Sequence, residues 1–396
     1  MADRGRWGME RLADTRRGDL DWMRISLVLV GFLCLCARLS STLSRPAGST
    51  EALPAFDLVV AVVDLWLMPL FFVISAGAVR HALDRQDPPS FVVAKVLRLF
   101  VPLVFGALAR TLPLSFLERA TGAGSEAFPG MDQWYLLVLF VFSLLLLPLF
   151  RALRGPAGRR FTSRFSALAS LPGALYLLGV LPAVPCVLLR PTGVPGMLVF
   201  GGWNLGFYLG LFLLGYLFFS TSELPQAIAR SRFFSLAIGI LLAIVLRILP
   251  PEASAAIRAM AGWSLTLAVL GFGLRIFANA PRPPVFLHEA VLPFFLLSQP
   301  VILAVGFCLR SWSTGPALRF AALALVSFVG TAGLSEGIRR VGLLRFLFGL
   351  APREKIAGRS HGIQNLAPRG GPTRLSAGIL REEDGTRTAD HSGGEK

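Results

Sequence analysis

The stretch DWMRISLVLVGFLCLCARL, Asp21 to Leu39, decides how this chain is read. A charged cluster opens it, and an apolar run of Ile, Leu, Val, Phe and Cys follows. A helix needs about 20 mostly apolar residues to cross a hydrocarbon core. Carried on to Thr42, this run falls within the usual range. Three readings compete: a cleaved signal peptide, a plain membrane anchor, or one wall of an active site with Arg24 at its mouth.

The rest of the chain gives the class. Of its 396 residues, 54% are hydrophobic and 16% charged, against about 25% charged in soluble domains. Similar runs recur without the period-2 alternation of barrel strands, so helices are expected. They fall at 25–42, 56–79, 97–116, 134–150, 167–189, 197–219, 233–249, 260–277, 290–309 and 316–337. The fifth, with Pro172, Pro182 and Pro185, is the least regular. The expected fold is all-α: a polytopic membrane protein of about ten transmembrane helices.

Lys and Arg crowd alternate connections. They fill the segments before Ile25, from Arg80 to Arg98, from Arg151 to Arg164, and from Arg339 to Lys355. The intervening connections hold scattered arginines such as Arg38, Arg45, Arg110 and Arg258. The positive-inside rule then puts both termini in the cytoplasm, in a multi-pass protein of the inner or plasma membrane. The signal-peptide reading fails, because the tail before Ile25 is long and rich in acids and no small-residue cleavage site follows. The expected organisation is a cytoplasmic tail at 1–24, a membrane domain at 25–350 and a tail at 351–396. That last tail has too little apolar content for a core and is expected to be disordered. The net charge of +16 suits the lipid bilayer as partner, with no nucleic acid implied.

Cys34, Cys36, Cys186 and Cys308 all fall inside expected spans, where free cysteine behaves as a small hydrophobe. Cys34 and Cys36 point to nearly opposite sides of a helix, so they make no metal pair. No metal is expected, and no CxxC, HExxH, P-loop or GxSxG pattern is present. Ionisable residues within spans are functional candidates, because burying them costs free energy. They are Arg24, Asp57, Asp64, Glu289 and Glu336. Asp57 reads as a helix-end residue. Asp64 lies deeper on the same face and either pairs with an arginine of a neighbouring helix or does chemistry.

Several segments carry a resemblance: LWLMPLFFVISAGAVRHALDRQDPPSFVVAKVLRLFVPLVFGAL (Leu65 to Leu108), QWYLLVLFVFSLLLLPLF (Gln133 to Phe150), HEAVLPFFLLSQPVI (His288 to Ile302), GIRRVGLLRFLFGL (Gly337 to Leu350) and the opening LDWMR (Leu20 to Arg24). In this order they resemble the acyltransferase type 3 family of integral membrane proteins, which move acyl groups, commonly from acyl-CoA, onto sugars or other envelope acceptors. The likeness implies a cytoplasmic acyl-CoA donor whose phosphates meet Arg24, Arg80, Arg98, Arg339 and Arg340. It also implies substrate contacts at Ser75, Trp134 and Gln299.

The chain departs from the family where chemistry is expected. Family members carry an arginine, ten residues, then a histidine. Here Arg24 matches the arginine, and the histidine position is Leu35, about 16 Å along the helix. Leucine has no proton to exchange. Ser298 stands where the late helix has its histidine, Asp132 replaces the histidine before the fourth-helix tryptophan, and Ala76 replaces a glycine. The four histidines of this chain lie elsewhere, His81 and His288 among them. Catalytic candidates are therefore Arg24, Asp64, Cys34 and Ser298. Three functions stay open: a membrane acyltransferase, a catalytically degenerate relative that binds a lipid or glycan precursor or partners an active enzyme, and a transporter of amphiphiles.

Overall fold

The computed structural model describes residues 2–44, 54–107, 132–171, 173–188, 199–200, 203–250, 254–309, 312 and 315–350. Helix α1 (Ala2–Ser44) has its apolar part at Gly18–Ser41. The expected span 25–42 is thus the C-terminal part of a longer helix that runs back through the polar tail. Helix α2 (Pro54–Leu83) returns antiparallel, with Arg38 on Asp64 at one end and Gly31 against Leu67 further along. Helix α3 spans Pro88–Ala107. Asp87 followed by two prolines starts it, because proline suits a first turn whose N–H groups have no helical partner. The helix therefore begins well before the expected Leu97. It includes a π-helical turn at Val96–Phe100.

Helices α4 (Asp132–Leu145) and α5 (Leu147–Arg154) form one bent pair, with a 49° break. Pro148 near the start of α5 accounts for the break. Helix α6 (Pro156–Ala169) is followed by the short α7 (Ala174–Leu177) and by α8 (Val180–Leu188). The change of direction after α6 is 115°, which agrees with the irregular fifth segment. Two-residue strands, β1 (Val199–Phe200) and β2 (Trp203–Asn204), pair antiparallel just before α9 (Leu205–Phe218). Helices α10 (Glu223–Val245), α11 (Ala255–Ile276), α12 (Val285–Cys308), α13 (Pro316–Arg340) and α14 (Gly342–Leu347) complete the described residues.

The expected count of ten is not reached on length. Among the described residues, seven helices are long and apolar enough to cross a membrane, or up to nine if each bent pair is one span. The shortfall lies at α9. Its 14 residues rise about 21 Å, less than the ~30 Å hydrocarbon core. The helix is nonetheless hydrophobic and mostly buried, with Phe207, Tyr208, Leu211 and Phe212 fully covered. Protein rather than lipid surrounds it, so it is not held to the thickness of the bilayer. Helices α10 and α13 differ: they expose Phe233, Phe234, Leu241, Ile244, Leu325 and Val329, as lipid-facing helices do. The expected tail at 351–396 lies outside the described residues.

Helix α2 is the axis of the bundle. Every residue from Pro69 to Gly77 is buried, which is the signature of a helix packed on all sides. The ring of Phe72 meets Trp134, Tyr135, Phe142 and Tyr208 at centroid distances of 6.0, 5.0, 6.0 and 4.6 Å. Helix α9 crosses it closely at Gly215, where an added Cβ would lie 2.6 Å from the Val73 carbonyl oxygen. Two polar pins hold outer elements. The Trp263 indole donates to the Leu175 carbonyl at 2.9 Å. Buried Arg345 forks onto both oxygens of Glu289, at 3.0 and 3.3 Å, and fixes α14 against α12.

Gly215→Val is expected to lower the melting temperature in detergent, through an overpacking cost of about 1–3 kcal/mol. Gly333→Ala, where an added Cβ meets nothing within 4 Å, should leave the melting temperature unchanged or slightly raised. Arg339 also reaches Glu289, at 3.4 Å. Losing both Arg339 and Arg345 is therefore expected to destabilise by more than the sum of the single losses, by roughly 0.5–3 kcal/mol. A double-mutant cycle on melting temperature reads this directly.

Candidate functional site

At the arginine-rich end of the bundle two groups of cations stand out. Arg80 ion-pairs with Asp84, and Arg154 joins the same carboxylate at 3.1 Å. Arg339 and Arg340 sit on Glu336 at 2.5 and 3.1 Å. These guanidiniums already have counter-charges. Arg24, Lys95 and Arg98 form the second group. The charges that act on Lys95 are Arg24 and Arg98, both positive. Among the described residues, neither Arg24 nor Arg98 has a hydrogen-bond or ion-pair partner, and the Lys95 ammonium lies over the Phe91 ring at 5.3 Å. Lys95 and Arg98 come together because α3 is already helical at Pro88 and takes its π turn at Arg98. Such turns recur at functional sites.

Next to this cluster, towards the bundle interior, lies a pair of hydroxyls. The Tyr135 Oη and Ser75 Oγ are 2.6 Å apart, and both side chains are buried. Tyr135 also donates weakly to the Phe71 carbonyl at 3.4 Å. Arg24 is the charged group that acts on Tyr135. Phe71, Phe72 and Phe295 wall the tyrosine ring at 5.5, 5.0 and 6.2 Å. Ser75 and Tyr135 thus link the cation cluster to the apolar middle.

That middle contains the position that matters most. Helix α12 runs parallel to α1, with Asp21 near His288 and Phe32 against Phe294 at 5.4 Å. Phe328 of α13 closes the same group at 6.0 Å from Phe32. One turn beyond Phe32 is Leu35, packed against the hydrophobic core. One turn beyond Phe294 is Ser298, whose Oγ donates to its own helix at the Phe295 carbonyl, 2.9 Å away. Gln299 beside it is buried. Leu35 and Ser298 therefore come to the same depth, and neither carries an ionisable group.

The far end is polar again. Arg38 of α1 ion-pairs with Asp64 of α2, and the Ser41 hydroxyl donates to Asp57 at 3.0 Å. Arg258 of α11 acts on both Asp64 and Tyr208. Asn204 caps α9, its side-chain oxygen accepting from the Gly206 N–H at 2.7 Å. Cys34 is buried with Asp64 and Arg38 as its charged neighbours, while Cys36 is sealed in the core.

The fold therefore distributes the residues singled out from the sequence. Arg24, Ser75 and Arg98 gather at the basic end. Asp64 and Cys34 gather at the far end, where Asp64 has found its arginine. Trp134 is part of the aromatic core, stacked on Phe72 and 5.1 Å from Tyr208. Arg339 and Arg340 stand apart on their own carboxylates. Sequence reading missed Lys95 and Tyr135. The Asp87-Pro88-Pro89 start signal could have revealed Lys95, because it puts Lys95 and Arg98 on one helix. Nothing local marks Tyr135, whose partner is 60 residues away.

Residues 17–336 match the acyltransferase type 3 family, an acyltransferase domain. No curated protein and no solved structure matches the chain. The matched span contains the cation cluster, the paired hydroxyls, the apolar middle and the far-end ion pair, so the chain belongs to the acyltransferase type 3 family.

Proposed function

We propose that this protein is a membrane acyltransferase that takes its acyl group from cytoplasmic acyl-CoA and passes it to an envelope sugar or other small hydroxylated acceptor. The observation that carries this reading is the cluster of Arg24, Lys95 and Arg98. Three cations together without a described carboxylate repel one another, and an anionic ligand supplies the missing counter-charge. The phosphates of acyl-CoA fit it, because guanidiniums bind phosphate oxygens in bidentate fashion and lysine adds a point charge. By the positive-inside rule this end faces the cytoplasm of an inner or plasma membrane. The acceptor then approaches from the end that holds Arg38 and Asp64.

A second reading is favoured by one specific observation. Leu35 is half-buried against the core and Ser298 is tied to its own helix, so neither expected histidine position carries an ionisable group. Under that reading the protein is a degenerate relative that keeps the donor pocket, binds a lipid or glycan precursor, or partners an active enzyme.

Two experiments separate these readings. Label from acetyl-CoA is expected to enter the host envelope slowly with the wild type and not at all with Arg24→Ala. Leu35→His is expected to raise the rate at least tenfold, since a placed general base contributes about 10²–10⁴. Label no higher than in a deletion strain, for both wild type and Leu35→His, would exclude transfer. In direct binding, Lys95→Ala is expected to weaken CoA about tenfold, or ~1.4 kcal/mol. The same variant should raise the melting temperature of the ligand-free protein, because it relieves repulsion.

A further inference from the structure

We propose that Tyr135, backed by Ser75, is the group that binds and polarises the carbonyl oxygen of the acyl thioester. The inference rests on the donor reading above and adds a residue and a role to it. The geometry is specific. Two buried hydroxyls lie 2.6 Å apart, and the one backbone acceptor recorded for Tyr135 is the Phe71 carbonyl at 3.4 Å. That distance is long for an O–H···O bond, whose usual value is about 2.7–2.8 Å. With Ser75 donating to the Tyr135 oxygen, the phenol proton is the group free to turn away from Phe71. A bond received from Ser75 also strengthens the one that Tyr135 gives, since hydrogen-bond chains polarise one another.

Position supports the role. The pair lies between the cations that suit the phosphates and the apolar middle where the acyl chain would go. Arg24 is the charged neighbour of Tyr135, and a cation there favours negative charge on a nearby oxygen. Phe71, Phe72 and Phe295 exclude water around the phenol, so a hydrogen bond to developing charge is worth more than in solution. In the transfer step the acceptor hydroxyl oxygen forms a bond to the carbonyl carbon. The carbonyl π electrons move onto oxygen, which accepts the Tyr135 O–H bond. They return as the C–S bond breaks, and the acceptor proton ends on the departing CoA sulfur. Ester and free CoA thiol are the products, and no further reactant is needed.

The test is binding of acetyl-CoA against S-ethyl-CoA, a thioether with the same two carbons and no carbonyl oxygen, to the purified full-length protein in nanodiscs. Wild type is expected to prefer acetyl-CoA at least fivefold. Tyr135→Phe keeps the ring among its aromatic neighbours and should abolish the preference while binding S-ethyl-CoA as wild type does. Ser75→Ala should reduce the preference part of the way. The infrared band of a ¹³C-labelled thioester carbonyl should shift to lower frequency on binding to wild type and not to Tyr135→Phe. The inference is overturned if wild type shows no preference, or if Tyr135→Phe keeps it. If neither compound binds at all, the inference falls together with the acyl-CoA reading. Binding of both without discrimination removes this role alone.

Discussion

Helix α2 is enclosed on every side, and the rest of the bundle is arranged by that enclosure. A helix in contact with lipid can carry almost any apolar side chain outward. A helix buried from Pro69 to Gly77 must match its neighbours residue by residue, at interior packing density. Phe72 fixes α4 and α9 through aromatic contacts, and the approach at Gly215 lets α9 reach the α2 backbone. The same enclosure gives Ser75 its partner. Ser298 is buried as well but folds back on its own helix, whereas Ser75 finds Tyr135 across the α2–α4 contact.

The charged groups divide by how they are neutralised. Arg80, Arg154, Arg339, Arg340 and Arg345 are held by Asp84, Glu289 and Glu336. They tie helices and connections together, and their free energy is already committed. Arg24, Lys95 and Arg98 lie together without such a carboxylate among the described residues, which is what the proposed donor site rests on. At the other end Arg38 and Asp64 satisfy each other. An arginine-rich face is thus not one binding surface, since Arg80, Arg154, Arg339, Arg340 and Arg345 are committed to structural ion pairs.

Much of this was legible in the sequence, and the rest failed for identifiable reasons. Composition and apolar runs gave a helical membrane bundle, and ordered motifs gave the family, because both depend on local residue patterns. The count of about ten spans is not confirmed at α9, because hydropathy cannot tell a short helix wrapped in protein from one that crosses lipid. Asp64 was expected either to pair or to react, and its pairing with Arg38 follows from two consecutive antiparallel helices. Arg339 and Arg340 looked equivalent to Arg24 and Arg98 by charge alone. What separates them is acid from another helix or turn, Glu289 and Glu336, and that is a tertiary fact. Tyr135 was invisible because an aromatic residue in an apolar run reads as packing until its hydroxyl is seen against Ser75.

The apolar middle has an electrostatic consequence. Water wires and proton relays need an unbroken file of polar groups, each within hydrogen-bond reach of the next. Leu35 with Phe32, Phe294 and Phe328 interrupts that file between the Arg24 and Arg38 ends of α1. Along this seam a low-dielectric layer separates two polar ends. A histidine at position 35 would put a titratable site inside the dielectric and shorten the gap.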